Sequence, residues 1–296
     1  MTRPIQTEVS DEARKKLRAL RARLSELGRV LVAYSGGVDS AFLTKVAHDT
    51  LGPGAKAFTA RSPSLPESEL EAAIALAREI GVSHAVLDTH ELDRPGYVEN
   101  SPARCYHCKA ELFEVSAAYA DAFPGSVVVD GFNHDDLSDY RPGHRAAAER
   151  GVQHPLSEVG LTKAEIRALS FELGLPTWNK AQLACLSSRI PHGTKVTKER
   201  LGRIERLELA LHRLGFFDVR ARLLPEQDET VRIELGPDEL PRAVYPELRP
   251  QIVSAAHEAG FRYVTLDLEG FRTGRMTEGL DPALVQLGRP AAVKTD

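Results

Sequence analysis

The stretch RVLVAYSGGVDSAFL, at residues 29–43, decides the fold of this chain. Its first six residues are mostly apolar, which is typical of a short buried strand. The apolar residues after the two glycines recur at helical spacing and predict a helix that ends near residues 52–54. The glycines therefore lie in a tight turn that joins a strand to a helix.

The same alternation of strands and helices continues on both sides of this turn. Apolar residues at helical spacing predict a helix over residues 10–28, before the first strand. After it we predict strands at 55–60, 84–89 and 126–130, and helices at 67–80, 107–121 and, from a capping box at 162–165, to about 173. Strands that alternate with helices indicate a parallel sheet with right-handed crossovers. We therefore predict an α/β fold with a doubly wound, mostly parallel sheet.

The pattern changes in the last third of the chain. A connector rich in Pro, Gly and Ser covers residues 176–196. Beyond it we predict a helix over 198–214, strands at 216–223 and 230–235, a helix over 237–258 and a strand at 262–268. This order is typical of a small α+β domain. We therefore predict two domains, an α/β domain at 1–180 and a connector with a small domain at 181–296.

Composition and charge narrow the class of protein. The 296 residues include 38 Lys and Arg against 42 Asp and Glu, a net charge of −4, which argues against a nucleic-acid partner. The N-terminal residues are charged where a signal peptide is apolar, and no apolar run approaches the ~18 residues of a membrane span. Three cysteines are too few for a disulfide framework. We expect a cytoplasmic α/β enzyme or binding protein without a membrane partner.

The hexapeptide SGGVDS predicts a phosphate-binding loop. Gly36 and Gly37 allow backbone conformations that are closed to other residues, so that N–H groups can approach an anion. The N-terminus of the next helix attracts the same anion, and Ser35 and Ser40 add hydroxyl donors. Asp39 implies a cation, most simply Mg²⁺. The alternative is a Gly-Gly turn with a serine N-cap; a Walker A loop is excluded because the chain has no Gly-Lys dipeptide.

The three cysteines form one C-x-x-C pair, Cys105 and Cys108, and one single residue, Cys185. Three thiolates suit a 4Fe-4S cluster with one iron that lacks a protein ligand. They also suit Zn²⁺, with His107 or His192 as the fourth ligand. A site without metal is the third interpretation, since a C-x-x-C pair also occurs as a redox pair or by chance.

The hexapeptide also resembles the signature of the PP-loop ATP pyrophosphatases. The resemblance implies that the chain binds ATP and adenylates a substrate oxygen, with pyrophosphate as the leaving group. Gly36 and Gly37 would then cradle the pyrophosphate, and Asp39 would serve the metal. Arg61, in the turn after the second strand, is a candidate contact for the nucleotide or else a solvated arginine.

Three further blocks resemble the LarE family, the ATP-dependent sulfur transferases that build the nickel-pincer cofactor of lactate racemase. They are RCYHCK at 104–109, DGFNHDDLSDYRPG at 130–143 and ACLSSRIPHG at 184–193. The resemblance implies a small anionic substrate, pyridinium-3,5-biscarboxylic acid mononucleotide, whose carboxylates are adenylated and converted to thiocarboxylates. It also implies a homo-oligomer.

The resemblance implies two different sulfur sources. In members with only the cysteine that matches Cys185, that cysteine donates its own sulfur and becomes dehydroalanine. In members with three cysteines, the cysteines bind a 4Fe-4S cluster that carries an extra sulfide. This chain matches the second type through Cys105, Cys108 and Cys185. The expected cofactors are ATP, Mg²⁺ and the cluster; a sacrificial Cys185 is the alternative, and the source of sulfide is open.

Polar residues near the third cysteine complete the candidate site. Ser188 and Arg189 follow Cys185, and an arginine there could hold a substrate carboxylate or phosphate, or could lie on the surface. Arg220 and Arg222 alternate on one strand and therefore share a face. This face resembles the family's basic face, which would bind substrate; the alternative is a face exposed to solvent.

Acidic and basic side chains also accompany the other blocks. Arg104 and Lys109 flank the C-x-x-C pair and would add positive charge around thiolates. Four residues after the strand at 126–130 would support a metal or cap helices: Asn133, Asp135, Asp136 and Asp139. Three rival functions remain at this point: a PP-loop tRNA thiolase, an ammonia-using PP-loop synthetase, which would not need the cysteines, and a non-catalytic iron–sulfur or nucleotide sensor.

Overall fold

The computed structural model describes residues 8–138, 142–180 and 184–272. These residues form two compact units. The first unit consists of 8–90, 105–138 and 142–180, and the second of 91–104 and 184–272. The predicted domain boundary after residue 180 stays a prediction.

Strands and helices alternate along the described residues. The strands are β1 (Val30–Ala33), β2 (Ala55–Arg61), β3 (Ser83–Asp88), β4 (Val127–Asp130), β5 (Val219–Leu224), β6 (Gln227–Leu235) and β7 (Tyr263–Leu266). The helices are α1 (Asp11–Leu27), α2 (Val38–Leu51), α3 (Glu67–Ile80), α4 (Pro95–Val98), α5 (Arg104–Ala120), α6 (Pro142–Ala148), α7 (Pro155–Glu158), α8 (Lys163–Glu172), α9 (Lys198–Arg213) and α10 (Arg249–Glu258).

The first unit contains a four-stranded sheet in the order β3-β2-β1-β4. All its neighbouring strands are parallel, and β1 pairs with both β2 and β4. The predicted α/β fold with a parallel sheet is confirmed. Parallel strands end at the same edge, so the segments that follow β1, β2, β3 and β4 share one side of the sheet.

The core of this unit explains why these segments fold as they do. Strand β1 is apolar because its residues from Val30 to Val32 are fully buried. Helix α1 buries Leu20 and Leu24, one helical turn apart, and exposes its charged residues. The capping box that predicted α8 is present, since Thr162 and Glu165 each accept a hydrogen bond from the other's backbone N–H.

The second unit contains a three-stranded sheet in the order β5-β6-β7. Strands β5 and β6 are antiparallel, whereas β6 and β7 are parallel. The single helix predicted over 237–258 is wrong: a 3-10 turn, Leu240–Val244, is followed by the separate helix α10. Pro246 lies between them, and a proline inside a helix removes a hydrogen-bond donor and clashes with the preceding turn.

No helix within the described ranges is both long enough and apolar enough to cross a bilayer.

Candidate functional site

The phosphate-binding loop follows β1 and runs directly into α2. Gly36 has a φ of +69°, and a Cβ atom there would lie 2.8 Å from the Cβ of Ala73 in α3. Gly37, in contrast, has a φ of −81° and room for a Cβ atom. The expectation that both glycines adopt conformations closed to other residues is therefore correct for Gly36 and wrong for Gly37.

The hydroxyl groups of the loop stabilise the loop itself. The Oγ atoms of Ser35 and Ser40 are 3.1 Å apart, and the Ser35 N–H donates to Ser40 Oγ at 3.2 Å. Gly37 is the N-cap of α2, and no side chain of the described chain caps this helix. The alternative with a serine N-cap is therefore wrong. The first N–H groups of α2 can instead bind an anion.

Asp39 has one partnered and one unpartnered oxygen. Its Oδ2 accepts a hydrogen bond from Lys163 Nζ, in an ion pair at the start of α8. Its Oδ1 is buried and has no hydrogen-bond partner among the described residues. A buried carboxylate oxygen without a partner is unfavourable, and carboxylate oxygens are the ligands that Mg²⁺ prefers. The geometry of Asp39 therefore fits a divalent cation.

A second lysine contacts the loop from another direction. Lys180 Nζ donates to the Gly36 carbonyl oxygen at 3.2 Å and to Glu69 Oε2 at 2.6 Å. Lys163 and Lys180 thus place two ammonium groups at the phosphate-binding loop. Both ammonium groups are suited to a polyphosphate chain, because a lysine binds phosphate as a mobile point charge.

The end of β4 packs against the start of α2. A Cβ atom on Gly131 would lie 2.9 Å from the backbone nitrogen of Ser40, so only glycine fits there without a shift. The preceding Asp130 forms a 2.7 Å contact from Oδ1 to His154 Nδ1. Burial alone would raise the pKa of Asp130, but the hydrogen bond and charge of His154, with Lys109 nearby, lower it. Asp130 is therefore a buried carboxylate kept ionised by its neighbours.

The acidic loop after β4 uses its oxygen atoms in caps. Asn133 Oδ1 accepts from the Asp135 N–H at 2.9 Å, and Asp136 Oδ2 accepts from the Asn133 N–H at 3.1 Å. Asp135 Oδ2 accepts from the Lys163 N–H at 2.8 Å and so caps α8. These contacts favour the capping interpretation over the metal interpretation. Asp139 lies outside the described residues.

Arg61 lies where β2 ends, opposite Asp88 at the end of β3. Its Nε and Nη2 donate to the two oxygens of Asp88 at 2.6 and 3.1 Å. The hydrogen bond lowers the pKa of Asp88 and raises that of Arg61, although both side chains are exposed. The contact of Arg61 with a nucleotide stays a prediction.

The C-x-x-C pair lies in the first turn of α5, which begins earlier than the predicted residue 107. Cys105 and Cys108 are three residues apart and therefore share one helix face. Cys105 is exposed and Cys108 partly exposed, and both are thiols. Gly143 of α6 packs on this turn, since a Cβ atom there would lie 2.7 Å from Lys109 Cγ and 3.5 Å from the Cys105 carbonyl oxygen.

Cys185 precedes a 3-10 turn, Leu186–Arg189, and its thiol is exposed. Its Sγ lies 3.0 Å from Ser187 Oγ. Arg189 is only 3% exposed, so the alternative of a surface arginine is wrong. Its Nε and Nη2 donate to the carboxylate of Glu208 at 2.9 Å each, and its Nη1 donates to the carbonyl oxygens of Ala184 and Cys185 and to Ser188 Oγ. Arg189 thus holds the segment that carries Cys185.

The two arginines of β5 differ in their partners. Arg222 is 5% exposed and donates to Glu234 Oε2 at 2.7 Å and to the Ser188 carbonyl oxygen at 3.0 Å. The solvated-face alternative is therefore wrong for Arg222. Arg220 donates to the Val219 carbonyl oxygen, and no carboxylate of the described residues forms an ion pair with it. Burial, together with the charge of Arg189, lowers the pKa of Arg220 to about 10.

Comparison with known proteins identifies the family. The family model described as asparagine synthase matches residues 13–113, which include the phosphate-binding loop. The chain is 36% identical over 269 residues to the pyridinium-3,5-bisthiocarboxylic acid mononucleotide synthase of Lactiplantibacillus plantarum, with 90% of this chain and 96% of that protein covered. The chain belongs to the LarE family.

Two relatives without an assigned function extend this comparison. An uncharacterized protein of Synechocystis is 46% identical over 265 residues, which cover 90% of this chain and 98% of the relative. An uncharacterized protein of Methanocaldococcus jannaschii is 28% identical over 262 residues, which cover 88% of this chain and 98% of the relative. The LarE resemblance seen in the sequence blocks is therefore confirmed, and the PP-loop signature lies in the matched segment.

The cysteines of this LarE-family chain suit a cluster by their chemistry, since thiolates are the usual ligands of iron–sulfur clusters. Cys105 and Cys108 belong to the first unit, whereas Cys185 belongs to the second. Within the described ranges, no three His, Cys, Asp or Glu side chains are grouped as ligands of one metal ion. The three-cysteine type of LarE therefore stays a prediction.

The site of this LarE-family protein includes residues that sequence reasoning missed. Lys163 occupies the first position of α8, where a positive charge opposes the helix dipole. That unfavourable position was the available signal that Lys163 has another partner. Lys180 and Glu208 carry no such signal, because each acts through a contact that is distant in sequence.

Proposed function

We propose that the chain is an ATP-dependent sulfur transferase that converts pyridinium-3,5-biscarboxylic acid mononucleotide to the bisthiocarboxylic acid. The observation that carries this proposal is the 36% identity, over 90% of the chain, to a synthase named for that product. The phosphate-binding loop supports it, because an ATP-using step requires an anion site beside a carboxylate that can hold Mg²⁺.

The first step is the activation of a substrate carboxylate. A carboxylate oxygen attacks the α-phosphorus of ATP, the bond from that phosphorus to the bridging oxygen breaks, and pyrophosphate leaves. The N–H groups at the start of α2 bind the pyrophosphate, and Lys163 and Lys180 balance its charge. Asp39 would hold Mg²⁺, since its buried Oδ1 has no hydrogen-bond partner among the described residues, and the ion would supply positive charge for the phosphates.

The second step is the delivery of sulfur. A sulfur nucleophile attacks the acyl carbon, and AMP leaves with the electrons of the carbon–oxygen bond. We propose that Cys105, Cys108 and Cys185 hold a 4Fe-4S cluster, which supplies a sulfide for this attack when it is bound. The shared face of Cys105 and Cys108 and the exposed thiol of Cys185 support this donor set.

A sacrificial Cys185 is the second candidate donor. Its exposed thiol lies 3.0 Å from Ser187 Oγ, so a hydroxyl group is placed to hydrogen-bond the attacking sulfur. In this route the Cys185 sulfur displaces AMP and forms a thioester. The Cα proton then leaves with a base, the Cβ–S bond breaks towards sulfur, and the product departs while dehydroalanine remains.

The phosphate or carboxylate groups of the substrate require a cation that has no other acidic partner. Arg189 and Arg222 are paired with Glu208 and Glu234, whereas Arg220 has no ion pair with a described residue. We therefore propose that Arg220, with the hydroxyl of Ser188, binds the substrate anion.

The test of this function is a defined reaction with purified protein. The protein is prepared anaerobically, reconstituted with iron and sulfide, and incubated with Mg·ATP and the biscarboxylic acid mononucleotide. We expect thiocarboxylate, AMP and pyrophosphate in equal amounts, and absorption near ~400 nm from the cluster. Absence of thiocarboxylate would reject the function. A loss of one H₂S at Cys185 in the intact mass would instead select the sacrificial route, and salt-dependent binding of tRNA would support the thiolase.

A further inference from the structure

The segment that carries Cys185 is held by three buried arginines. We call residues 184–188 the Cys185 loop. Arg189 binds the carbonyl oxygens of Ala184 and Cys185, and Arg222 binds that of Ser188. The third arginine, Arg104, donates from Nη1 to the Ser187 carbonyl oxygen at 2.8 Å. The peptide groups of the loop are thus fixed by donors from three different elements.

Arg104 differs from the other two because its charge has no acidic partner among the described residues. Arg189 pairs with Glu208 and Arg222 with Glu234, whereas no carboxylate of the described residues forms an ion pair with Arg104. Its second acceptor is the neutral Oδ1 of Asn100, and its side chain is 6% exposed. A buried guanidinium with only neutral acceptors is unfavourable, so its position needs a reason beyond stability.

Asn100 links Arg104 to the rest of the segment that follows the loop. It is fully buried and has a φ of +56°, which is uncommon for a residue other than glycine. Its Nδ2 donates to the carbonyl oxygens of Ile190, Pro191 and Thr194. Asn100 and Arg104 therefore form one clamp, which binds the segment 187–194 through four carbonyl groups.

The clamp adjoins the C-x-x-C pair in sequence. Arg104 is the first residue of α5, and Cys105 follows it directly. The residue that precedes Cys105 thus binds the Ser187 carbonyl oxygen of the Cys185 loop. Its positive charge, which forms no ion pair with a described residue, also suits an anionic neighbour such as a thiolate.

We propose that Arg104 is a positioning residue that, with Asn100, fixes the Cys185 loop and so holds Cys185 in place for sulfur transfer. The inference rests on the proposed function for that sulfur transfer. The hydrogen bonds of the clamp do not depend on it, so the two can be tested separately.

The first experiment measures the loop in protein without iron. Hydrogen exchange, resolved by peptide, is compared for wild type, R104M and R104K. R104M keeps the length of the side chain and removes both hydrogen bonds, so exchange of the 184–190 peptide should rise about tenfold while that of α9 stays unchanged. R104K keeps a charged donor and should restore part of the protection.

The matched control is Arg203→Met. Arg203 lies in the same unit and donates to the carbonyl oxygens of Asp228 and Gly260, away from the loop. R203M should leave exchange of the 184–190 peptide unchanged. The proposal is wrong if R104M leaves that peptide protected, if its effect extends equally to α9, or if R203M loosens the loop as much.

The second experiment measures the donor. After reconstitution with iron and sulfide, R104M should hold less than about half the iron of wild type, and R104K should hold an intermediate amount. A loose loop with full iron binding would overturn the proposal. If wild type itself binds no iron, the cluster is not the sulfur donor. The role of Arg104 is then tested by the amount of dehydroalanine that forms at Cys185 after turnover. R104M should form less dehydroalanine than wild type.

Discussion

Lys163 forms an ion pair with Asp39 of the phosphate-binding loop, and it does so through only one of the two carboxylate oxygens. The other oxygen is buried and has no hydrogen-bond partner within the described chain. The ammonium group thus stands next to the position that we propose for Mg²⁺. Binding of Mg·ATP would give Lys163 a phosphate as its second acceptor.

Asp39→Asn should abolish adenylation. The amide keeps the shape of the side chain but loses the charge that holds the cation, so pyrophosphate release should fall by at least about 100-fold. Iron content after reconstitution should not change. The control is Asp49→Asn at the other end of α2, where Asp49 pairs with Lys45. Substantial AMP formation by D39N would contradict the metal role of Asp39.

Lys163→Met should weaken nucleotide binding. Loss of one charge-assisted hydrogen bond to phosphate should raise the Kd for Mg·ATP by about tenfold or more. The control is Lys45→Met, since Lys45 is also paired with an aspartate but lies away from the loop. The measurement is calorimetric titration with a non-hydrolysable ATP analogue. Equal affinity in K163M and K45M would show that Lys163 does not contact the phosphates.

Arg220 and Arg222 should respond differently to the same change. Arg222→Met removes a partner of Glu234, which is fully buried, and should lower the free energy of unfolding by about 3–5 kcal/mol. Arg220→Met should alter stability far less and should raise the KM for the mononucleotide. Chemical unfolding and steady-state kinetics give the two quantities. If the KM for the mononucleotide is raised in neither variant, the substrate anion does not bind to this face of β5.

Replacement of Asn100 by glycine should destabilise the fold less than replacement by alanine. Both changes remove the side-chain hydrogen bonds to the segment 190–194, and each should be destabilising by about 2 kcal/mol or more. Alanine adds strain, because the φ of Asn100 is +56°, so N100A should unfold more readily than N100G by about 1 kcal/mol. The check is urea unfolding. Equal stabilities would show that the backbone relaxes at this position.

The Asp130–His154 contact predicts a pH dependence of stability. The pKa of Asp130 is lower in the folded protein than its ordinary value of 3.8, so the contact stabilises the fold above that value. The contribution is lost as the pH falls through the folded pKa. The difference in unfolding free energy between wild type and D130N should therefore shrink as the pH falls below about 4. A difference that grows on acidification would have the wrong sign.

The fold could be predicted largely from periodic patterns in the sequence. Helix α3 was predicted at 67–80 and lies at Glu67–Ile80, because its buried residues recur on one face. The single helix predicted over 237–258 is wrong, because apolar spacing alone does not take Pro246 into account. In the structure, this proline separates the 3-10 turn from α10.

The candidate site could be predicted only in part. SGGVDS and the cysteines are visible because their residue types and spacing are local. The roles of Arg189 and Arg222 were not visible, since their burial depends on Glu208 in α9 and Glu234 in β6. Pairing across strands and helices leaves no periodic trace along the chain, so the sequence leaves open whether Arg222 belongs to a basic binding face or is solvated.

The close approach of Gly36 and Ala73 has a consequence for protein engineering. A Cβ atom at residue 36 would lie only 2.8 Å from the Cβ of Ala73, so a side chain at either position is limited by the other. A larger residue at position 73 should displace the loop as surely as a side chain at position 36 would. Directed evolution of nucleotide preference should therefore keep these two residues unchanged and vary the surrounding ones.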